Sequence, residues 1–127
     1  MDEFDHEKMP AYRLALAFVG TANEVRSRFI PGHASLADQL DRASASIVLN
    51  IAEGAGEFAR REKARFYRIA RRSATECAAV LDIAGERDID IEEGLKRRAK
   101  KQLGKLVAML VGMSKWAEDA SRPSPPP

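Results

Sequence analysis

Apolar side chains return at steps of three or four residues in four successive stretches of this 127-residue chain, the spacing that puts them on one side of an α-helix. The clearest stretch holds Leu36, Leu40, Ala43, Ile47, Ile51 and Gly54. Ahead of it, Leu14, Phe18, Val25 and Phe29 trace a first stripe behind Pro10, which a first helical turn tolerates because that amide would be unpaired anyway. A third stripe runs through Phe66, Ile69, Ala70, Ser73, Cys77, Val80, Leu81 and Ala84, and a fourth through Leu95, Ala99, Leu103, Leu106, Leu110, Met113 and Ala117. A helix with one apolar stripe must bury it against another element. Four such helices on short connectors predict an all-α fold, an antiparallel up-down-up-down four-helix bundle.

Local signals place the breaks. Ile30-Pro31-Gly32 closes the first helix, and Ser35, with Asp38 three residues on, is the expected N-cap of the second. Gly54 and Gly56 weaken the end of that helix, each costing about 1 kcal/mol relative to alanine. The third helix is expected to start behind Ala59, which has no side-chain acceptor to offer, and to run out near Gly85. The acidic connector from Asp88 to Glu93 leads into a fourth helix near Ile91, where negative charge complements the free N–H groups of the first turn. The expected organisation is an acidic flexible leader over residues 1–8, the bundle over 9–120 and a Pro-rich disordered tail over 121–127.

Several function classes drop out. Charges interrupt every apolar run well short of the roughly 20 residues that cross a bilayer, so no membrane association is expected. The lone Cys77 excludes an internal disulfide, and Met1 leads into Asp2, Glu3 and Asp5 rather than a basic, then apolar, segment; a cytoplasmic location is expected. His6 and His33 have no Cys or His at ligand spacing, so neither a metal nor any other cofactor is expected. Gly54-Ala55-Gly56-Glu57-Phe58-Ala59 has the loose spacing of a dinucleotide fingerprint, with Ser46 to Ala52 standing in for the strand and Glu76 at the distance of the acidic partner. That motif needs a βαβ unit, and Glu76 lies in a helical pattern. Glu53 and Glu76 are the carboxylates nearest the stripes. A buried pair would suit acid/base chemistry, but Arg42, Arg71 and Arg72 are at hand to neutralise them in a structural role. No enzyme is expected.

Charge is unevenly spread. Residues 1–57 hold 5 Lys/Arg against 9 Asp/Glu, whereas residues 58–127 hold 16 against 10, so an anionic partner would dock on the second half. Gln39, Arg42, Ser46, Asn50 and Glu53 form a polar line beside the second helix's apolar stripe. It is either a solvated face or a hydrogen-bonded seam, with Arg71, Ser73 and Glu76 facing it. Arg61, Arg65, Arg68 and Arg72 share one side of the third helix. Guanidinium forks suit phosphate oxygens, and they equally suit a solubilising face.

The run Ser46-Ile47-Val48-Leu49-Asn50-Ile51-Ala52-Glu53-Gly54, followed by Lys63, Phe66, Ile69-Ala70-Arg71, Ser73 and Glu76, resembles the four-helix bundle proteins encoded in 23S rRNA intervening sequences. His6-Glu7-Lys8 and Tyr12-Arg13-Leu14-Ala15-Leu16 are similar to the start of that family's first helix, so the resemblance spans nearly the whole chain. It implies a homopentameric ring, no enzymatic activity, and kinship with the accessory protein of diversity-generating retroelements, a basic barrel that binds nucleic acid and its reverse transcriptase. The chain departs from the pattern with Gly56-Glu57 in place of Gly-Arg, Arg72 in place of a glycine, and Ala59 in place of a capping serine. The expectation is a non-catalytic homo-oligomer that binds the RNA or DNA backbone through Arg61, Arg65, Arg68 and Arg72, assisted by Lys96, Arg97, Lys100 and Lys101. The alternative is a protein-interaction scaffold, such as a reverse-transcriptase accessory subunit, that does not touch nucleic acid.

Overall fold

Each stripe becomes the buried face of a helix. The computed structural model describes residues 5–119. It contains α1 (Pro10–Arg26), α2 (Ala34–Gly56), α3 (Arg60–Glu86) and α4 (Glu93–Glu118), with 3₁₀ turns at Asp5–Lys8 and Pro31–His33 and no strand among the described residues. Ser46 to Ala52 is therefore mid-helix, which removes the dinucleotide fingerprint. The expected flexible leader is, over its described part Asp5–Lys8, a 3₁₀ turn that touches α1 and α2. The tail expected at 121–127 lies outside the described residues.

Polar contacts fix the directions. Arg26 near the end of α1 meets Asp41 near the start of α2 at 2.6 Å. Lys63 at the start of α3 reaches Gly54 at the end of α2, and Ser46 meets Ser73 midway. Arg68 early in α3 meets Glu118 at the end of α4, and Lys100 early in α4 meets Asp82 late in α3. Arg98 of α4 meets Glu24 of α1 at 2.6 Å, which closes the ring of helices. Every neighbouring pair is antiparallel. Among the described residues the diagonal pairs, α1 with α3 and α2 with α4, have no Cα atoms within 8 Å, so the helices stand at the corners of a square.

The core fills that square with Phe18, Val25, Leu40, Ile47, Ile51, Tyr67, Cys77, Leu103, Leu106 and Leu110, all essentially inaccessible. At 1.5 Å per residue α1 is about 26 Å long while α3 and α4 are about 40 Å. The longer pair outruns α1, and Ala64, Trp116 and Ala117 form a separate small cluster where α3 begins and α4 ends.

Three boundaries differ from expectation. First, α1 stops at Arg26, three residues before Phe29. Ile30 precedes Pro31 and is held extended at φ −81°, ψ 163°, because a residue before proline avoids the helical region; the chain has to leave the helix earlier, and Phe29 packs on the core from the turn. Second, Ser35 does not cap α2, because the 3₁₀ turn at Pro31–His33 feeds directly into Ala34 and no side chain caps that end. Third, α4 begins at Glu93, two residues past Ile91, and the buried Ile91 is a connector residue. Elsewhere α3 ends one residue beyond Gly85. Asp88, at φ 57°, takes the left-handed position, and the amides of Asp88 and Ile89 donate to the carbonyls of Gly85 and Ala84, a Schellman stop built without glycine.

Candidate functional site

The conspicuous local structure gathers where α2 ends and α3 begins. Gly54 is buried, and a Cβ placed there would lie 2.5 Å from Tyr67 Cε1 and 2.8 Å from its Cδ1. Glycine is thus required by the Tyr67 ring, which fills the space a side chain would take. Tyr67 is 1% exposed and its hydroxyl has no hydrogen-bond partner among the described residues. Burial pushes that phenol up to about 12. The stripe read from the sequence took Phe66 as the core residue here; Phe66 is only half-buried, and its neighbour points inward.

Lys63 holds the same corner. Its Nζ donates to the carbonyls of Gly54 and Ala55, both at 3.1 Å. A helix end leaves its last carbonyls without partners, and an ammonium there satisfies them and complements the negative end of the dipole. Ala59, at the start of α3, makes no capping bond, as its lack of an acceptor requires.

The polar line divides. Ser73 Oγ donates to Ser46 Oγ at 2.8 Å across the α2–α3 interface, and Asn50 Nδ2 donates to the Ser46 carbonyl at 2.9 Å and to its Oγ at 3.0 Å. These three make a real seam. Gln39 and Arg71 flank it half-buried, while Arg42, Glu53 and Glu76 face solvent. The two carboxylates therefore form no buried pair and need no neutralising arginine; the expectation fails because a spacing of three or four fixes a face only to within a third of the helix circumference. Cys77 is buried in the core, where burial and, secondarily, the charge of Glu76 push its thiol up to about 12, the opposite of an activated nucleophile. Among the described residues there is no cluster of His, Cys, Asp or Glu fit to hold a metal, and no helix long and apolar enough to cross a membrane.

The four arginines of α3 do lie on one outward face, but they are not equivalent. Arg61 and Arg72 are exposed and enter no ion pair among the described residues. Arg65 rests over the Phe66 ring at 4.5 Å and meets Glu62 at 3.2 Å. Arg68 is held by Glu118 at 2.6 Å. Alongside, Arg60 stacks on Trp116 at 4.4 Å and donates to the Asp119 carbonyl at 2.8 Å. Arg60, Arg61, Ala64, Arg68, Ala117 and Glu118 line a groove of about 400 Å³.

The second basic set is elsewhere. Lys96 lies 3.9 Å from Glu93, Lys100 pairs with Asp82, and Arg97 and Lys101 are exposed. Positions 68 and 82 of α3, which contact the end and the start of α4 respectively, are separated by about 20 Å of helix. The two sets expected to act together therefore occupy opposite ends of the bundle.

With this geometry in view, the comparison with known families is direct. The sequence model of the 23S rRNA-intervening sequence proteins matches residues 7–112. The chain belongs to this family. A search of curated proteins returns no match. Within the matched span of this 23S rRNA-intervening sequence protein, the fold explains most of the run Asn50-Ile51-Ala52-Glu53-Gly54: Asn50 bonds back to Ser46, Ile51 is core, and Gly54 makes room for Tyr67. Tyr67 is a residue that sequence reasoning passes over, and Lys63 enters it only as part of the family pattern, without a role. Nothing in the spacing of Lys63 marks it as a cap, because its partners are carbonyls eight and nine positions upstream. Phe58, wholly exposed in the turn, did carry a signal, being a large apolar residue outside every stripe.

Proposed function

We propose that this protein is a non-catalytic, self-assembling bundle that binds the nucleic-acid backbone through the outward face of α3, with Arg61, Arg65, Arg68 and Arg72 on phosphates. The observation that carries this reading is the opening of α3: residues 57–72 hold seven Lys/Arg against two Glu, Glu57 and Glu62, and two of the arginines on the face, Arg61 and Arg72, enter no ion pair among the described residues. The family's tie to 23S rRNA intervening sequences supports an RNA-related role. Lys96, Arg97, Lys100 and Lys101 act as a second, more distant contact.

Self-assembly has its own support. The outward side of α2 carries Ala45, Leu49, Ala52 and Gly56, with Leu49 63% exposed. A homopentamer gives a light-scattering mass near five times 14.0 kDa, and places five arginine faces on one assembly. Binding is tested by a gel-shift series with structured RNA. If Z phosphates are neutralised, log K falls with log salt at a slope of about −0.7Z to −0.9Z. Replacing Arg61, Arg65 and Arg72 by glutamine lowers both affinity and slope, and does so more than replacing Arg97 and Lys101. Absence of binding at low salt removes the reading. The same exposed Leu49, with Phe58, favours the second reading, a scaffold for a protein partner such as a reverse transcriptase, which predicts co-purification of that partner without nucleic acid.

A further inference from the structure

We infer that the turn between α2 and α3 holds an unpaired nucleotide, the Phe58 ring stacking on its base while Arg61 and Arg65 take the adjoining phosphates; this rests on the nucleic-acid reading above and names the form of nucleic acid it applies to. Phe58 is 100% exposed, whereas Phe18 and Tyr67 are each 1% exposed. One apolar residue in water is ordinary by itself. Its surroundings set it apart: Arg61 is three residues on, so their Cα atoms are at most about 11 Å apart, and residues 60–72 beyond it carry seven Lys/Arg against one Glu.

The turn also presents the ring in a defined place. Glu57 and Ala59 on either side have extended backbone, at φ −80°, ψ 145° and φ −74°, ψ 126°. Lys63 ties the end of α2 to the start of α3 around it. The nearby acids do not close the site: Glu62 is engaged with Arg65 through a long, exposed contact, and Glu57 is half-buried. An arginine that already lies against one aromatic ring, as Arg65 lies against Phe66, is placed to stack or to turn to a phosphate.

This chemistry selects unpaired bases. In a duplex the base faces are stacked on one another, and the deep groove of A-form RNA is closed to side chains. An aromatic ring standing in water beside guanidinium groups is the element by which proteins hold single strands, loops and bulges, largely without regard to sequence.

The test compares the full chain and two variants against a labelled single-stranded RNA oligonucleotide and a blunt RNA duplex of equal length, at low salt. Phe58→Ala is expected to weaken single-strand binding about tenfold, within the range that base–aromatic stacking supplies, and to leave duplex binding unchanged. Phe58→Trp is expected to keep the affinity and to show fluorescence quenching on adding the single strand, beyond any change seen with Trp116 alone in the parent. Equal effects of Phe58→Ala on both RNAs, or none on either, overturn the inference while leaving backbone binding intact. A change in assembly mass on Phe58→Ala also overturns it, by showing that the ring is a contact between copies. Failure of the parent to bind either RNA overturns the nucleic-acid reading and this inference with it.

Discussion

In its first half, α3 meets α2 without slack: the Tyr67 ring occupies the place of a missing Cβ at Gly54, Lys63 grips two carbonyls, and Ser73 bonds to Ser46. In its second half, α3 meets α4 across small side chains. Ala74, Ala78 and Thr75 face Leu103, Gly104 and Val107 over a shallow groove of about 270 Å³, rimmed by the exposed pair Lys100–Asp82. The first half of α3 is thus keyed tightly to α2 and its second half fitted more loosely to α4, which also leaves the groove of about 400 Å³ at the start of α3; the arginines that enter no ion pair among the described residues begin on the half keyed to α2. A rigid corner suits a surface that has to hold charge in position, whereas exposed ion pairs contribute little to stability.

Glycine substitution gives the largest contrast. Gly54→Ala drives a methyl group into the Tyr67 ring, and overpacking of about 1–3 kcal/mol outweighs the gain of about 1 kcal/mol in helix propensity. Gly104→Ala meets nothing within 4 Å and is expected to gain up to about 1 kcal/mol. Urea denaturation of the two variants should move in opposite directions. If Gly54→Ala is also stabilising, the ring has room to move and the keyed half is not keyed.

Alkali separates the halves next, because each holds one buried acidic group. Tyr67 rises from 10.0 and Cys77 from 9.0, both to about 12. Both are raised, so their neutral forms are favoured by folding. The stability they contribute is complete below about pH 9 and is lost as pH climbs towards 12, since the unfolded chain releases protons that the folded chain keeps. The urea midpoint should therefore fall between about pH 9 and pH 12. Tyr67→Phe should shallow that fall while leaving the Cys77 share. At neutral pH it should cost nothing, or stabilise by up to about 1 kcal/mol, because the hydroxyl it removes has no partner among the described residues.

The smallest effect belongs to the loose half. Lys100→Gln removes a pair whose side chains are 40% and 70% exposed, and the expected loss is below about 0.5 kcal/mol, shrinking further in salt. A larger loss would mean that the second half of α3 is held by charge.

The helices and most of their inward faces were legible because a stripe needs only the period of the helix. The corner was not. Gly54 reads as a helix breaker until the ring above it is known, and Tyr67 sits one position from Phe66, a rotation that periodicity resolves poorly when both residues are aromatic. Phe29 continued the arithmetic of α1 past the point where Pro31 had already forced the chain out. For the candidate site, spacing placed Arg61, Arg65, Arg68 and Arg72 on one face, but a face says nothing about the neighbouring helix. Glu118 on Arg68, 50 residues away in sequence, and the end-to-end separation of the α3 and α4 basic sets are both properties of antiparallel packing.

Because α4 runs back along α1 and closes the square, the start of the first helix and the finish of the fourth point to the same pole of the bundle. A rearranged gene that bridges those two helices and opens the connector between Glu86 and Glu93 would preserve all four neighbour relations in a new order. The α1–α4 contact, now the most distant in sequence, would become local, and the α3–α4 contact would become the long-range one. Such a permutant would keep the architecture while changing which pair of helices meets first during folding.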